Sequence, residues 1–481
     1  MSKKNLTTLI EIAAVLIIIV FGFIVFNAEE KKDIVNIEIM DEKENLEQID
    51  INYHNKEVTP VNNDITKNIA PKIKNSNKSE QEQMVLRELN HKELVIDQTD
   101  DRRALGYPGQ RKIVRNKQGD YFIAYRKKYQ GDHQIYVAKL SKVDSDWRIS
   151  GTRKPVAFFP GDLDQRVPSI DIDEQGTLHL VWYGSDQPYR KNYRQIKYTQ
   201  SQDGLNWQPW RNIAQVQGYS NYNLYWQEHP YIDCGENGIY IVWEGKDQQF
   251  QKQQVKFIKS TDKGQTWSEW KNVNPMANKT QSRPLILQDS KKNLHLLMYA
   301  SLGQGEQQIQ YAKSKDQGET WTDWQSLSNS NFDSRHFSAS MDEQDRIYLV
   351  WRIYDTAGEK KAQIMLRTMD ENGWGDIRAV ESKTDINQFF PGIAVQNQSQ
   401  GYLIAWIASA QAFGLPREDP LQGDLNLVLF DKNLNKKDKL TSFGNIYYPS
   451  LIENFQNQEA AMVFLRKNQL GTYDIVVNLF I

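Results

Sequence analysis

Three arginines, a glutamate, two histidines and a pair of tyrosines hold matching places along this chain. Each stands at the opening of a short apolar run. In chain order they read Arg166-Val-Pro168, Glu228-His229-Pro230, Arg283-Pro284, Arg335-His336 and Tyr447-Tyr448-Pro449. Guanidinium groups brought to one point suit a carboxylate, because the planar fork donates to both oxygens at once. A histidine beside such a clamp supplies a proton acceptor at neutral pH. Trp226 ends the stretch Tyr219-Ser-Asn-Tyr-Asn-Leu-Tyr-Trp226, directly ahead of Glu228, and an aromatic there suits stacking on a sugar face. A plainer reading stands beside these: strand-start arginines also pair with acidic turns, and a strand-end histidine also serves as a hydrogen-bonded structural residue.

The elements that would bring these positions together are set by a repeat. The column Tyr125, Trp182, Trp243, Met298, Trp351, Trp406 and Phe464 recurs at roughly 55-residue intervals. Each member closes an apolar run such as Leu178-His-Leu-Val-Trp182, and the run before it usually opens on proline: Pro168, Pro230, Pro284, Pro391 and Pro449. Short apolar runs divided by Gly, Asn and Asp turns read as antiparallel strands. One such unit buries only part of its surface, whereas several set radially bury both faces, so an all-β propeller is expected. Of the 13 tryptophans, all but Trp226 fall in repeat columns and read as structural. The last unit ends on its third strand, Asp474–Ile481, and Glu93-Leu-Val-Ile-Asp97 is the expected source of the missing outer strand. Two units carry Ser-x-Asp-x-Gly-x-Thr-Trp, at Ser260–Trp267 and Ser314–Trp321. In such a turn the Asp accepts backbone N–H bonds, the Gly supplies positive φ and the Trp plugs the interface between sheets.

That motif resembles the Asp box of the sialidase superfamily, and Ser201–Trp207 is similar to a shortened copy. The resemblance spans about residues 100–481. It implies that Arg166, in Arg166-Val-Pro168, grips a substrate carboxylate with Arg283 and Arg335. It also implies that Asp186 is the acid/base, that Glu228 polarises a nucleophile, and that Tyr448 is that nucleophile. The chain departs from the family at Gln165, where a phenylalanine usually stands, and at Tyr183-Gly184-Ser185, where a supporting arginine is lost. Some seven-bladed propellers resembling this one are polysaccharide lyases, in which a His or Tyr takes a proton beside a uronate carboxylate. In that reading His229 or His336 is the base. Seven four-stranded blades are expected, with the six of sialidases as the alternative.

Composition limits the rest. Lys+Arg 59 against Asp+Glu 61 leaves a net charge of −2, so nothing points to nucleic acid. The single cysteine, Cys234, excludes an internal disulfide and a cysteine metal cluster. No spacing of His, Asp and Glu suggests zinc, a structural calcium stays open, and no cofactor is expected. Thr7 to Asn27 is apolar enough to span a bilayer, and Lys3 and Lys4 ahead of it place the remainder outside. Residues 28–90 are polar and charged and read as a flexible tether, leaving 91–481 for the propeller. The expectation is a single-pass, membrane-anchored protein with its propeller on the periplasmic or extracellular side of the cytoplasmic membrane. It would recognise anionic glycan or an envelope partner protein, with a sialidase-type exo-glycosidase or a polysaccharide lyase as the alternative.

Overall fold

The structure is a computed structural model. It describes residues 87–88 and 91–480 apart from 108, 162, 187–192, 215, 217–225, 302–305, 329–330, 355–360, 382–384, 397–400, 411–422, 434 and 456–458. The expected anchor (1–27), most of the expected tether, the loop 219–225 ahead of Trp226, and an insertion carrying Arg417, Glu418 and Asp419 lie outside the described residues. Among the described residues there is no α-helix, and no helix long and apolar enough to cross a membrane.

Strands succeed one another as antiparallel sheets, the first four of them four-stranded and the fifth five-stranded. The first is Ile113–Arg115, Tyr121–Tyr129, Asp132–Val143 and Asp146–Ser150. The second is Gln165–Ile172, Leu178–Gly184, Gln195–Ser201 and Arg211–Asn212, and the third is Gln227–Gly235, Gly238–Gly245, Gln254–Ser260 and Lys271–Asn272. The fourth runs from Gln281–Gln288 to Gln325–Ser326, and the fifth opens with Asp333–Met341 and Ile347–Tyr354. The last sheet has nine strands because Lys436–Leu451 serves twice. Its first half pairs with Gly423–Phe430, and its second half pairs with Ala461–Lys467.

Closure comes from the N-terminal side, as the sequence pattern requires. His91–Thr99 lies antiparallel to Tyr473–Phe480 and covers what would be an open edge. Arg87–Glu88, inside the stretch expected to be tether, forms a short parallel pair with Asp438–Lys439.

The repeat column explains why the sheets pack in a circuit. Trp182, Trp243, Trp351 and Trp406 are fully buried on second strands. Trp182 joins apolar side chains of the first sheet, Trp243 those of the second, Trp351 those of the fourth and Trp406 those of the fifth. Phe464 shares a cluster with Tyr125 and Ile123, which joins the last sheet to the first. Removing one such side chain costs about 3–5 kcal/mol, so the column holds the ring together. The Ser-x-Asp-x-Gly-x-Thr-Trp turns sit on the preceding sheet. Asp262 accepts the Thr266 N–H at 2.8 Å, and Trp267 lies edge-on to Tyr198 with centroids 5.0 Å apart. This is the architecture of a β-propeller.

Candidate functional site

Every inner strand from the second sheet onward slips register near its start. The shifts fall between Arg166 and Ser169, Glu228 and Tyr231, Ser282 and Leu285, Arg335 and Ser338, Phe389 and Gly392, and Tyr447 and Ser450. In each bulge one residue adopts a left-handed backbone: Val167 (φ 45°), His229 (51°), Arg283 (52°), His336 (50°), Phe390 (49°) and Tyr448 (48°). Proline follows five of the six, and its missing N–H suits a position that the bulge takes out of the ladder. Such conformations cost non-glycine residues about 1–2 kcal/mol each, and they persist where surrounding structure imposes them.

The bulge residues converge on Tyr107, which enters from the segment between the clasp strand and the first sheet. Its ring centroid lies 5.7 Å from that of His229, 5.8 Å from His336 and 6.2 Å from Tyr448. The Arg283 guanidinium stacks over it at 4.1 Å. Phe390 completes the ring, 5.1 Å from His336 and 4.8 Å from Tyr448. Tyr107 therefore fills the centre of the channel at its strand-start mouth. Four residues on, Arg111 reaches the other end of the inner strands. There it is paired with Asp171, with Asp233 at 3.1 Å, and with Glu453.

Chemistry concentrates on one side of Tyr107. His229 Nδ1 lies 2.8 Å from Glu244 Oε1 and 3.7 Å from Glu228 Oε2. Glu244 also meets Arg283, through Nη1 at 3.3 Å and through the backbone N–H, which donates to Oε2. Glu228 is paired with Arg194. Tyr183 lies across the strand pair from Arg166, with its ring 5.3 Å from His229. Burial, aided by Arg283 and opposed by Glu244, holds the His229 imidazole below its ordinary pKa, so it is neutral near pH 7. Burial would raise Glu244, but Arg283 and His229 outweigh it and keep the carboxyl ionised. Burial and the Glu228 charge push the Tyr183 hydroxyl up, so it keeps its proton. Ligand atoms of Glu228, His229 and Glu244 lie within 4.8 Å of one another, a spacing a metal ion could use. Each carboxylate is already matched by a guanidinium, Arg194 or Arg283, so the group does not offer the excess negative charge that a divalent cation needs.

Of the residues the sequence points to, Glu228, His229 and Arg283 are brought together, with Arg166 opposite Tyr183. Arg166 reaches Asp164 at 3.4 Å. Trp226 forms a bridge with Arg194, and the Lys246 amine lies 5.7 Å from its ring centre. Arg335 is held by both oxygens of Asp333, at 2.6 and 2.8 Å. Tyr448 meets Tyr107 and Phe390, and burial, aided by Tyr107 and opposed by Arg103 and Arg102, pushes its hydroxyl up. Asp186 is placed elsewhere. It accepts from Asn212 at 2.7 Å and lies 3.5 Å from the buried Lys197 amine, which burial pushes down to about 8. Asp247 treats Lys256 and Asn272 in the same way, so Asp186 belongs to a repeated structural pair. Tyr107, Tyr183, Arg194 and Glu244 are the site residues that sequence reasoning passed over. One signal was available: Arg126, Tyr183, Glu244, Tyr299 and Arg352 each follow a column residue, where a purely structural strand would continue apolar.

No protein-family model and no curated protein sequence matches this chain. Its fold is shared with solved propeller structures of glycan-active enzymes. An ulvan lyase, described as a new family of polysaccharide lyase, superposes with a TM-score of 0.57 at 11% identity, covering 81% of this chain and 96% of the lyase. The lyase bound to a glucuronic acid–rhamnose 3-sulfate glycan gives 0.53 at 12% identity over 80% and 96%. A Hadza microbial sialidase gives 0.45 at 14% identity over 75% and 73%. For the two lyase structures, at 11% and 12% identity, the likeness is one of fold alone.

Proposed function

We propose that this chain is a seven-bladed, divergent sialidase-like propeller whose strand-start mouth recognises uronate-bearing polysaccharide and cleaves it by β-elimination. The seven count takes the nine-stranded sheet as two blades sharing Lys436–Leu451. The observation that carries the reading is the placement of a neutral, buried histidine, His229, beside Arg283 and Tyr183 at the start of the inner strands. Arg283, with Arg166, neutralises the uronate carboxylate and so makes the C5 proton more acidic. His229 takes that proton as the C4–O bond breaks and the C4=C5 double bond forms. The leaving oxygen takes a proton from the Tyr183 hydroxyl. Each atom is accounted for, and no oxidant or cofactor enters.

Hydrolysis through Tyr448 has less support. A tyrosine nucleophile needs a carboxylate base, whereas Glu228 is engaged by Arg194 and burial pushes the Tyr448 hydroxyl up, away from its ionised form. Recognition without turnover, of glycan or of an envelope partner, is the second reading. The observation favouring it is Tyr107, whose ring fills the channel centre where a substrate sugar would otherwise enter. An N-terminal anchor at residues 7–27 would hold such a propeller at the outer side of the cytoplasmic membrane.

The test is to incubate the protein with ulvan and with unsulfated glucuronate polymers while following the ultraviolet absorbance of the unsaturated product. His229→Gln should lower the rate by about 10²–10⁴-fold. A fluorogenic sialoside with Tyr448→Phe serves as the contrast. Binding of the polymers without any unsaturated product would leave recognition and remove the lyase reading.

A further inference from the structure

Glu244 stands directly after Trp243 on the strand Gly238–Gly245, and the Trp243 indole donates to Gln227 Oε1 at 2.8 Å, fixing the pair of strands. Only 3% of Glu244 is exposed. Its two oxygens are committed to three groups: His229 Nδ1, Arg283 Nη1 and the Arg283 backbone N–H. The residue thus joins the start of the third sheet's inner strand to the start of the fourth's.

An ionised carboxylate only accepts, and an arginine only donates. With Arg283 on both of its oxygens, Glu244 is the acceptor towards His229 as well, and Nδ1 must be the donor. The proton of the neutral imidazole is therefore on Nδ1, and the lone pair is on Nε2. No described residue bonds Nε2. The charged and titratable groups around this ring are Glu228 on its own strand, Glu244 on the next strand, Arg283 from the fourth sheet, Tyr183 from the second, and Tyr107 from the channel segment.

We infer that Glu244 is a positioning residue: it locks His229 in the Nδ1–H form, leaves Nε2 as the only basic nitrogen, and orients Arg283 with the same carboxylate. Base and carboxylate clamp then share one anchor, so neither can shift without the other. A proton-abstracting role for Nε2 rests on the lyase reading. The tautomer itself does not, and that separates the two tests.

The full chain, labelled with 15N at the imidazoles of its seven histidines, is examined by long-range 1H–15N correlation, with His229→Gln identifying the His229 signals. The expected result is a protonated Nδ1 and an unprotonated Nε2 near neutral pH, which needs no altered site. An Nε2–H tautomer or an imidazolium there would overturn the inference. Glu244→Gln keeps the shape and removes the charge, so the Nδ1–H form should lose its dominance and the His229 midpoint should fall. An unchanged tautomer and midpoint in a variant whose thermal unfolding matches wild type would also overturn it. On a uronate polymer the same variant should lower kcat by about 10–100-fold and raise KM as Arg283 loosens. If wild type forms no unsaturated product, the lyase reading fails while the spectrum still decides the role of Glu244.

Discussion

Replacing Arg111 with methionine is the sharpest test of how the channel is held. Arg111 is 7% exposed, and its guanidinium meets Asp171, Asp233 and Glu453, which come from the second sheet, the third sheet and the turn following Lys436–Leu451. Methionine keeps most of the volume but leaves three partly buried carboxylates facing one another. Breaking a buried ion pair from one side costs about 3–5 kcal/mol, and near pH 7 the loss should fall in that range. The penalty should shrink in mild acid. Burial, with Arg111 opposing it and Asp171 adding to it, already pushes the Asp233 carboxyl up to about 6. A carboxyl raised in the folded state binds more protons there than in the unfolded chain, so its contribution to stability grows as pH falls and is lost as pH rises through its folded pKa. Without Arg111 this window moves upward, and Arg111→Met should recover part of its deficit at about pH 5. Urea titrations followed by tryptophan fluorescence at the two pH values read both effects. With a slope of about 3 kcal/mol/M the midpoint near neutrality should fall by about 1–2 M. Coincident midpoints near pH 7, or a deficit of equal size at both pH values, would show that the triad does not carry the charge balance argued here.

Two other outcomes follow from the same geometry. At Gly245 a Cβ would lie 2.1 Å from Gln227 Oε1, so Gly245→Ala must push Gln227 off the Trp243 indole. Denaturant titration should show a loss of about 1–3 kcal/mol, and wild-type stability would mean that Gln227 has room to move. His336 stacks on Tyr107 and Phe390, and burial with Arg352 and Arg335 holds its pKa well below the ordinary value. Its contribution to stability is present above the unfolded pKa and lost as pH falls below about 6.5, so wild type should lose more stability than His336→Phe between neutral and mildly acid urea titrations. Equal losses would count against a depressed imidazole.

The sheets were legible because their signals are redundant. The tryptophan column, the turn motifs and the unpaired last strand each lead to the same circuit, and even the clasp at His91–Thr99 follows from counting strands. The site was half legible. Strand-start positions do cluster around Tyr107, but a bulge reverses the alternation that tells an inward side chain from an outward one. Hence Arg335 binds Asp333 while its neighbour His336 stacks on Tyr107, and nothing in the spacing of Arg335-His336 separates the two. Tyr107 precedes the first repeat and has no counterpart to flag it. Asp186 misled for the opposite reason: a resemblance singled it out, although Asp247 in the next unit marks it as structural.

The shared strand Lys436–Leu451 has a consequence for how the molecule is made. Through it nine strands form one hydrogen-bonded sheet, and two strands that pair with each other in that sheet, His91–Thr99 and Tyr473–Phe480, come from opposite ends of the propeller sequence. The Gln98–Asp474 side-chain bond alone spans 376 residues. During synthesis the early sheets have every partner they need soon after they emerge, but His91–Thr99 must wait, unpaired, until the last strand has left the ribosome. Assembly of this ring is therefore biphasic by topology: a vectorial phase along the middle sheets, then a single late closure that takes in the whole final sheet at once.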